Sequence, residues 1–275
     1  MSDEAFVMNL LPAPAELIKE EYSAVVWAPL LFEGEQIVVK LYRHRGLWHA
    51  VRCWVTKYRA QREYERLLQL SLWDIPCTLP RGWTRGYSRD YGFYELLATL
   101  RIPDAIDLET YLSDGRDYDF RGIFVAARGM HESGFCHHAL CTRNILVRGG
   151  QKKGRTFAFA DVPRSRIFPI SIVGTRMALY EVADLASDLI RLGVPRSSIP
   201  FDAYGLKPAE FARVATMLDG YPQNKLLRLA RDGESRIRHF FACTSNMLTR
   251  NRRIEPRWSK PKKLGVRSEQ VHESM

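Results

Sequence analysis

The sequence predicts an α+β protein of two segregated lobes, a small strand-rich lobe followed by a larger helical one. Three observations point there. Short apolar runs rich in β-branched residues fill the first hundred positions. After about residue 105 the apolar spacing becomes helical. The order is strands around one helix and then helices, without the alternation that builds parallel βα units. A chain of 275 residues suits one bilobed domain. The expected divisions are an N-terminal extension over 1–20, an N-lobe over 21–101, a C-lobe over 102–249 and a flexible tail over 250–275.

Along the N-lobe, Ala24-Val25-Val26-Trp27 and Leu30-Leu31-Phe32 read as strand, and Glu33-Gly34-Glu35 reads as a turn. Gln36 to Tyr42 is a buried strand interrupted by Lys40. From Lys57 to Leu72 the apolar positions Tyr64, Leu67, Leu68 and Leu72 fall at helical spacing, and Asp74-Ile75-Pro76 ends that helix. Tyr91 to Ala98 is again strand-like. In the C-lobe, helices are expected from Asp107, over 120–132, 178–192, 208–218, 224–231 and 233–243. Asn144 to Val147 and Thr156 to Ala160 read as a hairpin ending at Asp161.

Composition narrows the function. Apolar residues make up 46% and charged residues 26%, ordinary values for a globular protein. No apolar run has the roughly 18–20 residues that span a bilayer, and Met1-Ser2-Asp3-Glu4 has no basic start of a secretion signal. A cytoplasmic protein is expected. Five scattered cysteines do not make a disulfide scaffold. Cys136, His137, His138 and Cys141 crowd together, but a closed zinc site draws on a second ligand pair that the sequence does not offer. The net charge of +10 calls for a polyanionic partner. Between 250 and 267 eight lysines and arginines stand against Glu255 alone, with Trp258 among them. This stretch suits an anionic membrane surface, or is a solvated terminus without function. Nucleic acid is a poor fit, because no binding motif is present and aromatics do not interleave with the basic residues.

The chemistry concentrates in His137-His138-Ala139-Leu140-Cys141-Thr142-Arg143-Asn144-Ile145-Leu146-Val147. Its spacing resembles a kinase catalytic loop, His-x-Asp-Leu-x-x-x-Asn-Ile-Leu, with Ala139 where the aspartate stands. Phosphoryl transfer rests on positioning and charge neutralisation. It needs a lysine on the phosphates, a carboxylate bracing that lysine, and oxygen ligands for Mg²⁺. Lys40, in a β-branched strand, is the candidate lysine; its alternative is an outward-pointing surface residue. Glu63 on the following helix is the candidate brace, with Glu65 a competitor. Asn144 and Asp161, 17 residues apart at the two ends of a hairpin, supply an amide oxygen and a carboxylate suited to Mg²⁺. No G-x-G-x-x-G phosphate loop is present, and Gly34 is the one glycine near the first strands.

Together these segments resemble the lipopolysaccharide core kinase family, the Kdo and heptose kinases related to eukaryotic-type protein kinases. The resemblance runs from about Gln36 to Arg238. It is carried by IVVKLYRHRGL (37–47), RAQREYERLLQL (59–70), YELLATLRIPDAIDLETYL (94–112), MHESGFCHHALCTRNILV (130–147), FADVPRSRIF (159–168) and DLASDLIRLG (184–193). It implies a bilobal protein-kinase-like fold that uses ATP and Mg²⁺. By it, Lys40 contacts phosphates, Glu63 braces Lys40, Asn144 and Asp161 bind Mg²⁺, and Leu97 to Arg101, with Leu97 and Thr99, form the adenine hinge. Gly34 covers the phosphates, His137 is architectural, and Asp184 steadies the loop backbone. The implied acceptor is a sugar of the bacterial lipopolysaccharide core or another anionic glycolipid, reached peripherally at the inner face of the inner membrane.

Two departures bear on activity. Asp161 is followed by Val162-Pro163, and Ala139 replaces the usual base. Neighbouring His138 is one candidate to stand in for it. A slowed kinase and a pseudokinase that binds nucleotide or a partner without turnover are both expected outcomes. A small-molecule kinase of the aminoglycoside type would share the fold.

Overall fold

The computed structural model describes the backbone of residues 16–21, 24–32, 34–44, 59–88, 92–148 and 156–220. These belong to one compact unit, residues 1–221. The helices expected at 224–231 and 233–243 and the basic tail lie outside the described residues.

The strand-rich half is a five-stranded antiparallel sheet of order β1-β2-β3-β5-β4, from β1 (Glu16–Glu21), β2 (Ala24–Phe32), β3 (Glu35–His44), β4 (Pro80–Ser88) and β5 (Gly92–Leu100). Along β3, Ile37, Val39 and Leu41 are fully buried, while Val38 and Lys40 are half-buried. Period-two alternation thus puts the lysine on the opposite face from the aliphatic row.

The helix α1 (Arg59–Leu72) packs on this sheet through Ala60, Glu63, Leu67 and Leu70, a stripe at helical spacing. Its first turn holds no acid of its own. Buried Glu95 of β5 supplies one, accepting from the Ala60 amide at 2.6 Å. A carboxylate there satisfies an orphan donor and meets the positive end of the helix dipole. It therefore fixes where α1 starts against the sheet.

The sequence left two strands of this sheet unread. β4 carries Pro80, Gly82 and Gly86, which read as breakers. It sits at the sheet edge, where a missing ladder donor is tolerated. The glycine at 86 leaves room for the Tyr94 ring, whose hydroxyl would lie 2.5 Å from an added Cβ. β1 has few strong strand formers (ELIKEE) and is held by pairing with β2.

The segment after α1 ties the halves together. Phe159 donates to Pro76 at 2.9 Å, and its carbonyl accepts from Thr78 at 3.1 Å. The helical half begins with β6 (Ala105–Asp107) and α2 (Leu108–Ser113), capped by Asp107, whose carboxylate accepts from Thr110 at 2.9 Å. Then come α3 (Arg121–Glu132), β7 (Phe135–Cys136), the hairpin β8 (Ile145–Arg148) and β9 (Thr156–Phe159), and β10 (Arg166–Ile167). The helices α4 (Arg176–Arg191), α5 (Phe201–Tyr204) and α6 (Pro208–Asp219) follow. The hairpin and the helices expected at 120–132, 178–192 and 208–218 are present within a few residues of those bounds. A single buried cluster runs from Tyr42, Leu67 and Leu97 through Leu140, Ile145 and Phe159 to Leu185 and Tyr204. No helix among the described residues is long and apolar enough to cross a membrane.

Candidate active site

Lys40 is the centre of the site. Its ammonium lies 3.3 and 3.4 Å from the two carboxylate oxygens of Glu63 and also contacts the Asp161 carboxylate. Glu63 is therefore the partner that the sequence could not choose; Glu65 accepts from Gln61 instead, at 3.1 Å. The reason is helix phase. Glu63 lies on the buried stripe of α1, and Glu65 lies 200° further round it.

Burial alone would lower the Lys40 pKa, but the Glu63 and Asp161 carboxylates outweigh it and hold the amine above its ordinary value. Asp161 is drawn the other way. Burial would raise it, yet Lys40 holds it below the usual carboxylate range. Glu63 is pushed up, first by its burial and then by the second acid, Asp161, against the pull of Lys40. Two acids thus share one cation.

A residue the sequence reading missed completes this centre. Tyr42, two positions after Lys40 and fully buried, donates its hydroxyl to Glu63. Its ring lies between two cations, with the Lys40 amine 5.0 Å and the Arg59 guanidinium 4.5 Å from its centroid. A fully buried aromatic in the lysine strand was the available signal, and it read as ordinary core.

Asn144 and Asp161 come together through the hairpin. The Asn144 carbonyl accepts from the Ala160 amide at 2.9 Å, and Ile145 pairs with Phe159. This places the amide and the carboxylate at the same end of the β8–β9 ladder. The Asn144 side-chain nitrogen donates to the Ala139 carbonyl at 2.8 Å, which turns its oxygen away from that carbonyl. Asp161 has φ 57°, a left-handed conformation that costs a non-glycine residue about 1–2 kcal/mol. Two oxygen donors and a partly open carboxylate (42% exposed) fit Mg²⁺, which takes few protein ligands and completes its shell with water and phosphate. Among the described residues no group of three His, Cys, Asp or Glu could hold a metal. Burial pushes the Cys141 thiol up to about 11, so the cysteine–histidine cluster keeps at least one neutral thiol.

The loop from 137 to 144 is held from beneath by an acid that the sequence reading did not name. That role was expected of Asp184. The carboxylate that accepts the amides of His137 and His138 is Glu181, one turn earlier on α4. Glu181 also meets the His131 ring at 2.9 Å, and the other ring nitrogen of His131 lies 2.6 Å from the Tyr204 hydroxyl. Burial would raise the Glu181 carboxyl, but His131 and the nearby His137 and His138 bring it down to about 2. His137 is fully buried with its ring edge-on to Phe159, and burial lowers its pKa, which keeps it neutral.

The remaining candidates sit as follows. His138 is half-buried with φ 60°. Ala139 presents only a methyl group where a carboxylate would stand. Leu97 pairs with Lys40 across β3 and β5 and is buried, and Thr99 pairs with Val38. Gly34, φ 80°, turns from β2 into β3 six residues before Lys40, about 20 Å away at roughly 3.3 Å per residue. At the other end of β2, Ala24 pairs with both Glu21 and Tyr42, two residues from Lys40 along β3. The β2–β3 turn that carries Gly34 thus lies away from Lys40 along β3.

A five-stranded sheet with one packed helix, set over a helical half and sharing a lysine, two acids and an asparagine at their junction, defines a protein-kinase-like fold. Solved structures agree. WaaP in complex with acyl carrier protein matches with a TM-score of 0.50 at 15% identity, over 84% of this chain and 90% of that one. The Rio2 kinase–ADP/Mg²⁺–phosphoaspartate complex from Chaetomium thermophilum matches with a TM-score of 0.53 at 16% identity, over 86% and 73%. In sequence, residues 21–169 match the Lipopolysaccharide kinase (Kdo/WaaP) family, and the chain belongs to that family. No curated protein matches it.

Proposed function

We propose that this chain is an ATP- and Mg²⁺-dependent phosphotransferase acting on a sugar of the lipopolysaccharide core. The observation that carries the reading is the Lys40 ammonium bound to both Glu63 and Asp161. A half-buried lysine kept charged between two acids is poised to neutralise phosphate oxygens. In this reading Lys40 holds the phosphates and Glu63, with Tyr42, holds Lys40. Asn144 and Asp161 take the metal, which neutralises charge on the transferred group when bound. The segment around Leu97 and Thr99 holds adenine. The lobes divide near residue 101, and His138 is the nearest candidate for the base.

Family membership supports the acceptor class. A peripheral, cytoplasmic position at the inner membrane face follows from that acceptor and from the basic tail. Since WaaP was solved with acyl carrier protein, that protein is a partner to test here by co-purification.

Ala139 favours a second reading, a pseudokinase. Loss of a general base removes roughly 10²–10⁴-fold, about 3–5 kcal/mol of transition-state stabilisation. ADP release with core lipopolysaccharide, compared between wild type and Asp161→Ala, separates the readings. Phosphotransfer predicts measurable turnover lost in the variant and increased by Ala139→Asp. Equal rates in wild type and Asp161→Ala overturn it, and Mg²⁺-dependent ATP binding without turnover establishes the pseudokinase.

A further inference from the structure

The loop that carries Asn144 has a second anchor, distinct from Glu181. Glu181 holds the amides of residues 137 and 138. The other end, the 3-10 turn Thr142–Asn144, is gripped by a ring of charges from two helices. Thr142 is fully buried, and both its amide and its hydroxyl approach Asp188 of α4 at 3.4 Å. The same hydroxyl reaches Glu109 of α2 at 3.5 Å. Glu109 then takes Arg143 on one carboxylate oxygen at 3.3 Å and Arg191 on the other at 3.2 Å. Arg191 closes the ring on Asp188 at 3.6 Å.

We infer that Glu109 is a positioning residue for the metal ligand Asn144. This rests on the reading of Asn144 and Asp161 as the Mg²⁺ pair. Asn144 is the last residue of a three-residue turn, and the two residues before it are both fixed by this ring. Its side chain is turned by a single bond to Ala139. Nothing in a lone amide bond sets the angle at which the oxygen leaves the turn; the backbone of Thr142 and Arg143 does.

Glu109 is the member with most leverage. It is 26% exposed, bridges two guanidinium groups, and is the contact from α2 to the turn. It also lies two residues after Asp107, which caps α2 at the end of the segment leading out of β5. A shift of β5 and its following segment on nucleotide binding would reach the Asn144 turn through this carboxylate. Taken one at a time, surface ion pairs are worth about 0–1 kcal/mol to stability, and loss of Glu109 removes two of them while Arg191 keeps Asp188. Groups that orient metal ligands are worth roughly 10–100-fold in metal affinity. The ring should therefore register in Mg²⁺ dependence far more than in folding.

The test is calorimetric binding of a non-hydrolysable ATP analogue across a Mg²⁺ series. It compares the full-length wild type with Glu109→Ala, Glu109→Gln and Asn144→Ala, with a melting temperature for each. We expect Glu109→Ala to raise the Mg²⁺ concentration at half-saturation by about tenfold or more, to leave melting nearly unchanged, and to resemble Asn144→Ala in direction. Glu109→Gln, which keeps one oxygen for one arginine, should fall between. An unchanged Mg²⁺ midpoint in Glu109→Ala, with a normal wild-type response, overturns the inference. A drop in melting temperature without a change of midpoint also overturns it and leaves Glu109 a structural residue. A wild type with no Mg²⁺-dependent binding removes the metal assignment itself.

Discussion

Single residues in this protein carry charge where a core would refuse it, and each does so with partners that set its protonation. Glu181 is the clearest case. It is buried, yet its carboxyl is brought down to about 2 because the His131 ring bonded to it holds the anion. A depressed carboxylate contributes stability that is present above its unfolded value, near 4.3, and is lost as pH falls through the folded value. The window is therefore about pH 4.3 down to 2, and the shift corresponds to about 3 kcal/mol. Glu181→Gln should be less stable than wild type at pH 7, and the gap in melting temperature should narrow steadily between pH 5 and pH 3. A gap that stays constant with pH would refute the ionised Glu181. The same logic explains why Lys40 stays protonated in a place that disfavours charge, since each acid beside it offsets part of its desolvation.

Elements here are placed by a few contacts at their ends. α1 starts where Glu95 meets its first amides. The turn between α3 and β7 depends on Gly134, φ 79°, where an added Cβ would run into the carbonyl oxygens of Phe168 and Ile170. Gly115 has a similar φ of 74° with open space around it. The pair separates two effects. Gly115→Ala should lose about 1–2 kcal/mol, the left-handed cost alone. Gly134→Ala should lose more, because the β7–β10 pair must also move apart, and that pair leads into the loop of His137. Urea denaturation measures both; equal losses would mean that the close approach yields without cost.

At the scale of the whole molecule the charge is uneven. Residues 250–275 hold eight lysines and arginines against three glutamates, half of the net charge of +10. Near an anionic bilayer each basic residue is worth about 1 kcal/mol, screened by salt. Deleting 250–275 should abolish co-sedimentation with vesicles containing anionic lipid at 0.1 M salt and leave Mg²⁺–nucleotide binding intact. Retained vesicle binding would place the membrane contact elsewhere.

By itself the sequence determined the order of strands and helices, the helices near 59–72, 120–132, 178–192 and 208–218, and the hairpin that brings Asn144 beside Asp161, because each rests on local periodicity or on spacing along the chain. Tertiary structure decided the rest. It selected Glu63 over Glu65 by helix phase against the sheet, brought Tyr42 onto that glutamate, set Glu181 beneath the loop of His137, and put Gly34 at the β2–β3 turn, away from Lys40. These choices depend on which elements pack together and in what register. Contacts between segments 20 to 120 residues apart leave no periodic mark in either segment, so only the folded chain could make them.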